Sequence, residues 1–256
     1  MNERARCSTR PQRSRSLGWV FSSDPAVLAR IRDASIDTVV FNRALDPSLL
    51  ASFDRECDAK VLPRRALLVS PRDARSLEAS VAALVDECSA AVGVAIARDI
   101  AWISELVASL AGVARVRVAF GSVCGDECTQ FHQDFVRLRA IVTYAGPTTV
   151  LVERSAVDPV ALEAPIEDSA GSKDAIVRDE SAIKSAPRGS VVLLKGAAFS
   201  PGNFGAVHRS PRLSDAAVAR RIVLTVTALA SDREELVVEA RTGAGQRVWI
   251  YPEEGY

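Results

Sequence analysis

Two rhythms of apolar residues divide the chain. Leu77, Val81, Leu84, Val85 and Cys88 recur at helical spacing, as do Ile96, Ile100, Ile103, Val107 and Leu110, with Gly112 placed to end the second run. The spacing predicts two amphipathic helices, each with one apolar stripe. From Val116 the period shortens to two: Val116, Val118 and Phe120 alternate with Arg115, Arg117 and Ala119, the pattern of a strand with one buried face. RLRAIVTYAG, TTVLVER, GSVVLLKG, RRIVLTVTAL, ELVVEA and RVWIYP follow as short β-rich runs separated by Gly, Pro or polar stretches. Such a series predicts a barrel or a two-sheet jelly roll. Upstream, Asp24-Pro25 and Asp46-Pro47 each set an N-cap candidate before a proline suited to the first helical position, and IDTVVFNR between them reads as a strand.

The expected fold is α+β: N-terminal helices packed on a double-stranded β-helix, a cupin-like jelly roll. Residues 1–22 are expected to be a disordered basic tail and residues 23–256 a single domain, mainly helical over 23–112 and jelly-roll over 113–256. An acid-rich excursion at 155–187 interrupts the strand series.

Composition narrows the function classes. With 256 residues, 48% hydrophobic and 25% charged, the chain has the balance of a soluble globular protein. Lysine plus arginine equals aspartate plus glutamate at 32 each, so no global field draws it to nucleic acid or to an anionic membrane. Charged residues break every long apolar run, so no membrane span is expected. The arginine-rich start is followed only by LGWVF, too brief for a signal-peptide apolar region; a transit peptide is the alternative to a plain tail. Five cysteines without a framework spacing suit a reducing compartment, and a cytoplasmic location is expected.

Candidate chemistry concentrates in CGDECTQFHQD, residues 124–134. His132 and Asp134 form a His-x-Asp step, and the second of the two histidines, His208, follows PRGSVVLLKG and a Gly-rich loop. Two imidazoles and one carboxylate form the facial ligand set of non-haem Fe(II), with three positions left open. The competing reading is a zinc site: Cys124, Cys128 and His132 make C-x3-C-x3-H, and thiolates select zinc. The plain alternatives are a polar turn in which Asp134 orients an imidazole and two packed cysteines. On the strand RRIVLTVTAL, Ile222, Leu224 and Val226 share one face while Arg221, Val223, Thr225 and Thr227 share the other. Arg221 on a polar interior face could clamp a dicarboxylate through a bidentate pair. Arg139 and Tyr144, on the strand after the ligand pair, could reach substrate or co-substrate, although a solvated Arg139 is the ordinary fate of such a residue. PGNFGA does not follow a dinucleotide or phosphate-loop pattern, and no nucleophile turn surrounds either cysteine.

In order and spacing, HQD, the PRGSVVLL strand, His208 and a strand-borne arginine resemble the core of Fe(II)- and 2-oxoglutarate-dependent oxygenases over roughly residues 114–230. The resemblance implies His132, Asp134 and His208 as iron ligands, Arg221 or Arg220 as partner of the distal carboxylate of 2-oxoglutarate, and hydroxylation of an unknown substrate. VVFNRALD, CTQFHQD, RLRAIVTYAGP, IVRDESAI, RGSVVLLKG and AVHRSP also resemble the bacterial family called domain of unknown function 1826, over about residues 25–230. After Gly146-Pro147 the chain departs from that pattern, with TTVLV in place of a Gly-Thr-Glu-Trp type of sequence. The alternative function is a non-enzymatic zinc-binding or metal-homeostasis protein using the same histidines with Cys128 or Cys124.

Overall fold

The structure is a computed structural model that describes residues 18–163, 176–200, 204–214, 219–229, 238–241 and 247–250. Residues 1–17 of the expected tail and 164–175 of the expected excursion lie outside the described residues.

The chain enters the fold earlier than its sequence suggests. Residues 18–22, expected in the tail, form strand β1 (Gly18–Ser22), which pairs in parallel with β2 (Ile36–Phe41). The reason is Trp19: its half-buried ring packs against the interior cluster and meets Phe21 edge-on at 5.4 Å. Asp24-Pro25 starts a 3-10 helix, Pro25–Arg32, and not an α-helix. Asp46 caps helix α1 (Pro47–Ala59), accepting from the Ser48 amide at 2.7 Å with Pro47 at the first position. Strand β3 (Arg65–Val69) precedes helices α2 (Ala74–Val85) and α3 (Ala90–Ala111). Gly112 ends α3 in the left-handed conformation, φ 68°. The region expected to be mainly helical thus also supplies strands β2 and β3.

The change of period marks β4 (Val116–Val123), followed by β5 (Leu138–Ala145), the short β6 (Val150–Val152) and helix α4 (Pro159–Glu163). Then come β7 (Ile183–Ser185), β8 (Val191–Lys195), the two-residue β9 (His208–Arg209) and β10 (Arg221–Ala228). Seven strands form one sheet in the order β1-β2-β8-β5-β10-β4-β3, antiparallel except for β1–β2. A second sheet has the order β7-β6-β9. Strands β11 (Val238–Arg241) and β12 (Arg247–Ile250) pair with each other and do not join either sheet. The architecture is therefore mixed helix and strand, dominated by a large antiparallel-rich sheet.

The two faces of that sheet do different work. Ile222, Leu224 and Val226 of β10, with Val118 and Phe120 of β4, point to the helices and meet the α3 stripe of Val92, Ile96, Ile100, Ile103 and Val107. Each of those α3 side chains is fully buried, which stabilises by about 1.5–3 kcal/mol apiece. The opposite face carries a smaller cluster that includes Val223, Ile141, Val192 and Leu194, and it looks towards the second sheet. The cavity opens on this second face.

Candidate metal centre

Backbone pairing brings the two histidines together. The His132 amide donates to the His208 carbonyl at 3.0 Å, and the His208 amide returns the bond to His132 at 3.1 Å, making them direct cross-strand neighbours. Leu151 of β6 pairs with His208 on the other side. The imidazole centroids are 4.6 Å apart and tilted by 48°. Asp134, two residues beyond His132, turns its carboxylate to the same side. Their ligand atoms all lie within 4.8 Å of one another.

The hydrogen bonds settle which nitrogen faces the group. His132 Nδ1 lies 2.8 Å from the Gln130 carbonyl oxygen, and His208 Nδ1 lies 3.3 Å from that of Ala206. A carbonyl oxygen only accepts, so each Nδ1 carries the proton, and each Nε2 of a neutral ring presents a lone pair. Burial pushes the His208 imidazole down to about 4, against the opposing pull of Asp134, so it is neutral at physiological pH. Its Nε2 is 3.4 Å from Asp134 Oδ2, and His132 Nε2 is 3.7 Å from Oδ1. The neutral His208 ring, the Asp134 carboxylate and His132 thus turn ligand atoms to one point, an arrangement suited to a cation.

Arg139 of β5 stabilises the carboxylate from behind. Its Nη1 lies 2.9 Å from Oδ1 and 2.8 Å from Oδ2 of Asp134, and its Nε reaches Thr227 Oγ1 at 3.3 Å. The buried Oδ2 still lacks a well-formed hydrogen bond. Burial alone would raise the Asp134 carboxyl, but Arg139, His208 and His132 together hold it below the usual carboxylate value.

A cavity of about 80 Å³ adjoins the group, with His132, His208, Arg139, Thr149 and Ile141 towards the ligands and Arg64, Glu127, Cys128, Ser210 and Arg221 also in its walls. Arg221 opens β10 with 6% of its surface exposed. Nη2 donates to Ser210 Oγ at 2.9 Å, while the buried Nε and Nη1 have no hydrogen-bond partner. Burial, and then the neighbouring Arg64, push its guanidinium down to about 10. An acceptor ligand is what such a group lacks.

The other sequence candidates fall elsewhere. Tyr144, on the same strand as Arg139, faces the helices: its ring stacks on Phe53 at 4.5 Å and its hydroxyl bonds Asp99 of α3. Positions 139 and 144 are an odd number of residues apart, so an extended strand sends them to opposite faces. Arg220 is half-buried and does not line the cavity; its carbonyl sits 4.0 Å from Cys57 Sγ. Cys124 and Cys128 are exposed, and neither belongs to the ligand group. Cys128 does line the cavity and adopts φ 51°, unusual for a residue with a Cβ. Arg64, Glu127 and Ser210 were not anticipated. Ser210 follows HR in the already conspicuous AVHRSP, whereas nothing in the helical third singles out Arg64.

Fold and site together describe a mixed helix-and-strand protein with a candidate two-histidine, one-carboxylate metal centre on the inner face of its large sheet. The chain belongs to the family described as protein of unknown function (DUF1826), whose model matches residues 22–226. No curated protein matches it. Among solved structures it is similar to the dioxygenase for auxin oxidation 1 from Arabidopsis thaliana in its 2-oxoglutarate binary complex, at 11% identity and TM-score 0.48, covering 90% of this chain and 100% of that one. It is also similar to a Pseudomonas putida prolyl-4-hydroxylase, at 12% identity and TM-score 0.38, covering 80% of this chain and 97% of that one. No helix among the described residues is long and apolar enough to cross a membrane.

Proposed function

We propose that the protein is a non-haem Fe(II)- and 2-oxoglutarate-dependent oxygenase, with the two sheets forming a double-stranded β-helix around its site. The observation that carries this reading is the shared cavity: the walls that include His132 and His208 also include a buried guanidinium with two unpartnered N–H donors. His132, Asp134 and His208 would hold iron, and the lack of thiolate in the group favours iron over zinc. Arg221 would take the distal carboxylate of 2-oxoglutarate, which supplies the acceptors its Nε and Nη1 lack. Iron with 2-oxoglutarate supplies O₂-dependent oxidation, in which the co-substrate is decarboxylated and a substrate hydroxylated. The chain's own contribution is positioning: Arg139 keeps the Asp134 carboxylate ionised and turned towards the imidazoles, and Ile141 and Val223 line the walls with apolar surface that excludes water.

Anaerobic titration with Fe(II) and 2-oxoglutarate tests this. The wild-type protein develops a visible charge-transfer band that His132→Ala and Arg221→Ala both lose. Tight zinc retention with no band refutes the oxygenase reading.

A further inference from the structure

Arg221 does not stand alone. Arg64, from the loop before β3, lines the same cavity and pairs with Glu127 through Nη1 and Oε2 at 2.9 Å. The two side chains are 32% and 27% exposed, so the bridge stands between the cavity and solvent. Arg64 and Glu127 also rank, after burial, as the main charges acting on Arg221, with opposite signs. Glu127 thus pairs with Arg64 in the wall that also holds Arg221, near enough for its charge to act on that guanidinium. The placement of Arg64 is fixed by the backbone: Gly121 of β4, at φ 141°, leaves no room for a Cβ, which would lie 2.4 Å from the Pro63 carbonyl oxygen and 2.6 Å from Arg64 Cα. Only glycine permits this contact, so the loop seats Arg64 against the strand that leads to Glu127.

We propose that Arg64 and Arg221 form a two-arginine anion end of the cavity, and that Glu127 is an internal stand-in for the ligand. On entry, the distal carboxylate of 2-oxoglutarate replaces Glu127 at Arg64 while also engaging Arg221. The inference rests on the oxygenase reading. Exchange of one carboxylate for another at Arg64 keeps the charge balance of the bridge, and the displaced Glu127 turns to solvent. Glu127 thereby weakens binding of every anion, and a ligand long enough to reach both arginines recovers most of that loss.

Calorimetric titration of 2-oxoglutarate into the Mn(II)-loaded protein tests it. Glu127→Gln, which keeps shape and removes charge, is expected to bind about threefold or more tightly, because the competitor is gone. Arg64→Met is expected to weaken binding about tenfold, the scale of one charged hydrogen bond. In the Arg64→Met background, Glu127→Gln is expected to tighten binding less than it does in the wild type. A purely structural bridge gives the opposite sign for Glu127→Gln, unchanged or weaker binding, and that result overturns the proposal. If the wild type binds and Arg221→Met abolishes binding while Arg64→Met and Glu127→Gln change nothing, this inference fails and the oxygenase reading stands. If the wild type itself does not bind 2-oxoglutarate, both fail.

Discussion

Replacing Arg221 by methionine separates a ligand-binding arginine from a structural one, because the two roles predict opposite changes in stability. Arg221 is 6% exposed, makes one hydrogen bond, to Ser210, and leaves Nε and Nη1 unpartnered. Burial pushes its guanidinium down to about 10, so keeping it charged in the fold costs about 3 kcal/mol at neutral pH. Methionine fills a similar volume without that penalty; subtracting about 1 kcal/mol for the lost Ser210 bond leaves a net stabilisation of about 1–2 kcal/mol. For a chain of this size that raises Tm by about 3–6 °C. The same substitution removes the buried cation with unpartnered donors from the cavity wall, and affinity for 2-oxoglutarate is expected to fall by about tenfold or more. Thermal melts and calorimetry of the Mn(II)-loaded protein read both quantities. A variant that melts earlier yet binds 2-oxoglutarate as the wild type does would show that Arg221 is a structural cation, and the argument from its unpartnered donors would be wrong.

Mn(II) at about a hundredfold excess over its Kd should stabilise the wild type by about 2.7 kcal/mol, and a melting shift of that size should vanish in His208→Ala. On the other face of the sheet, Asp99 is bound by Arg43, with Nη1 at 2.7 Å, and by the Tyr144 hydroxyl. Asp99→Ala strands the half-buried Arg43 charge and should lower stability in urea by about 3–5 kcal/mol, with unchanged metal affinity in whatever fraction remains folded. Asp37 is buried with Oδ2 unpartnered, and burial raises its carboxyl from 3.8 to about 7. Because the folded value lies above the unfolded one, the folded state holds this proton more tightly; the contribution of Asp37 to stability is fully present below about pH 4 and declines as pH rises to about 7. Asp37→Asn should therefore match the wild type at pH 4 and exceed it by about 4 kcal/mol at pH 8, and parallel denaturation curves at the two pH values would disprove that linkage.

What the sequence revealed follows from the range of its signals. The His132–Asp134 step was legible because residues two apart in an extended segment share a side, and His208 because the chain has so few histidines. Arg221 was legible from alternation: it lies on the same face as Val223 and Thr225, and all three line the cavity. The same rule, applied consistently, excludes Tyr144 from the face that holds Arg139. Strand β1 was missed because a five-residue run next to an arginine-rich segment gives no period; its stability comes from pairing with β2. Arg64 was beyond sequence reasoning for another reason. It meets Glu127 across 63 positions, through a close approach that only Gly121 permits, and no local pattern encodes such a contact.

The division of labour within β10 explains how the fold can carry so much unsatisfied polarity. Ile222, Leu224 and Val226 complete the core against α3, while Arg221, Val223 and Thr225 face the cavity. Each strand bond is shared, since β10 pairs with β4 on one side and β5 on the other, so the cavity face inherits a backbone rigidified by the core face. Asp134 Oδ2 and the Arg221 donors are buried without hydrogen bonds, each a destabilising feature of about 1–3 kcal/mol on its own. Asp134 lies between strands, two residues past the His132–His208 bridge, and Arg139 of β5 fixes its carboxylate. The central strand β10, anchored by fully buried side chains behind it, holds the Arg221 guanidinium in the cavity wall, while the His132–His208 bridge sets the two imidazoles in the same wall.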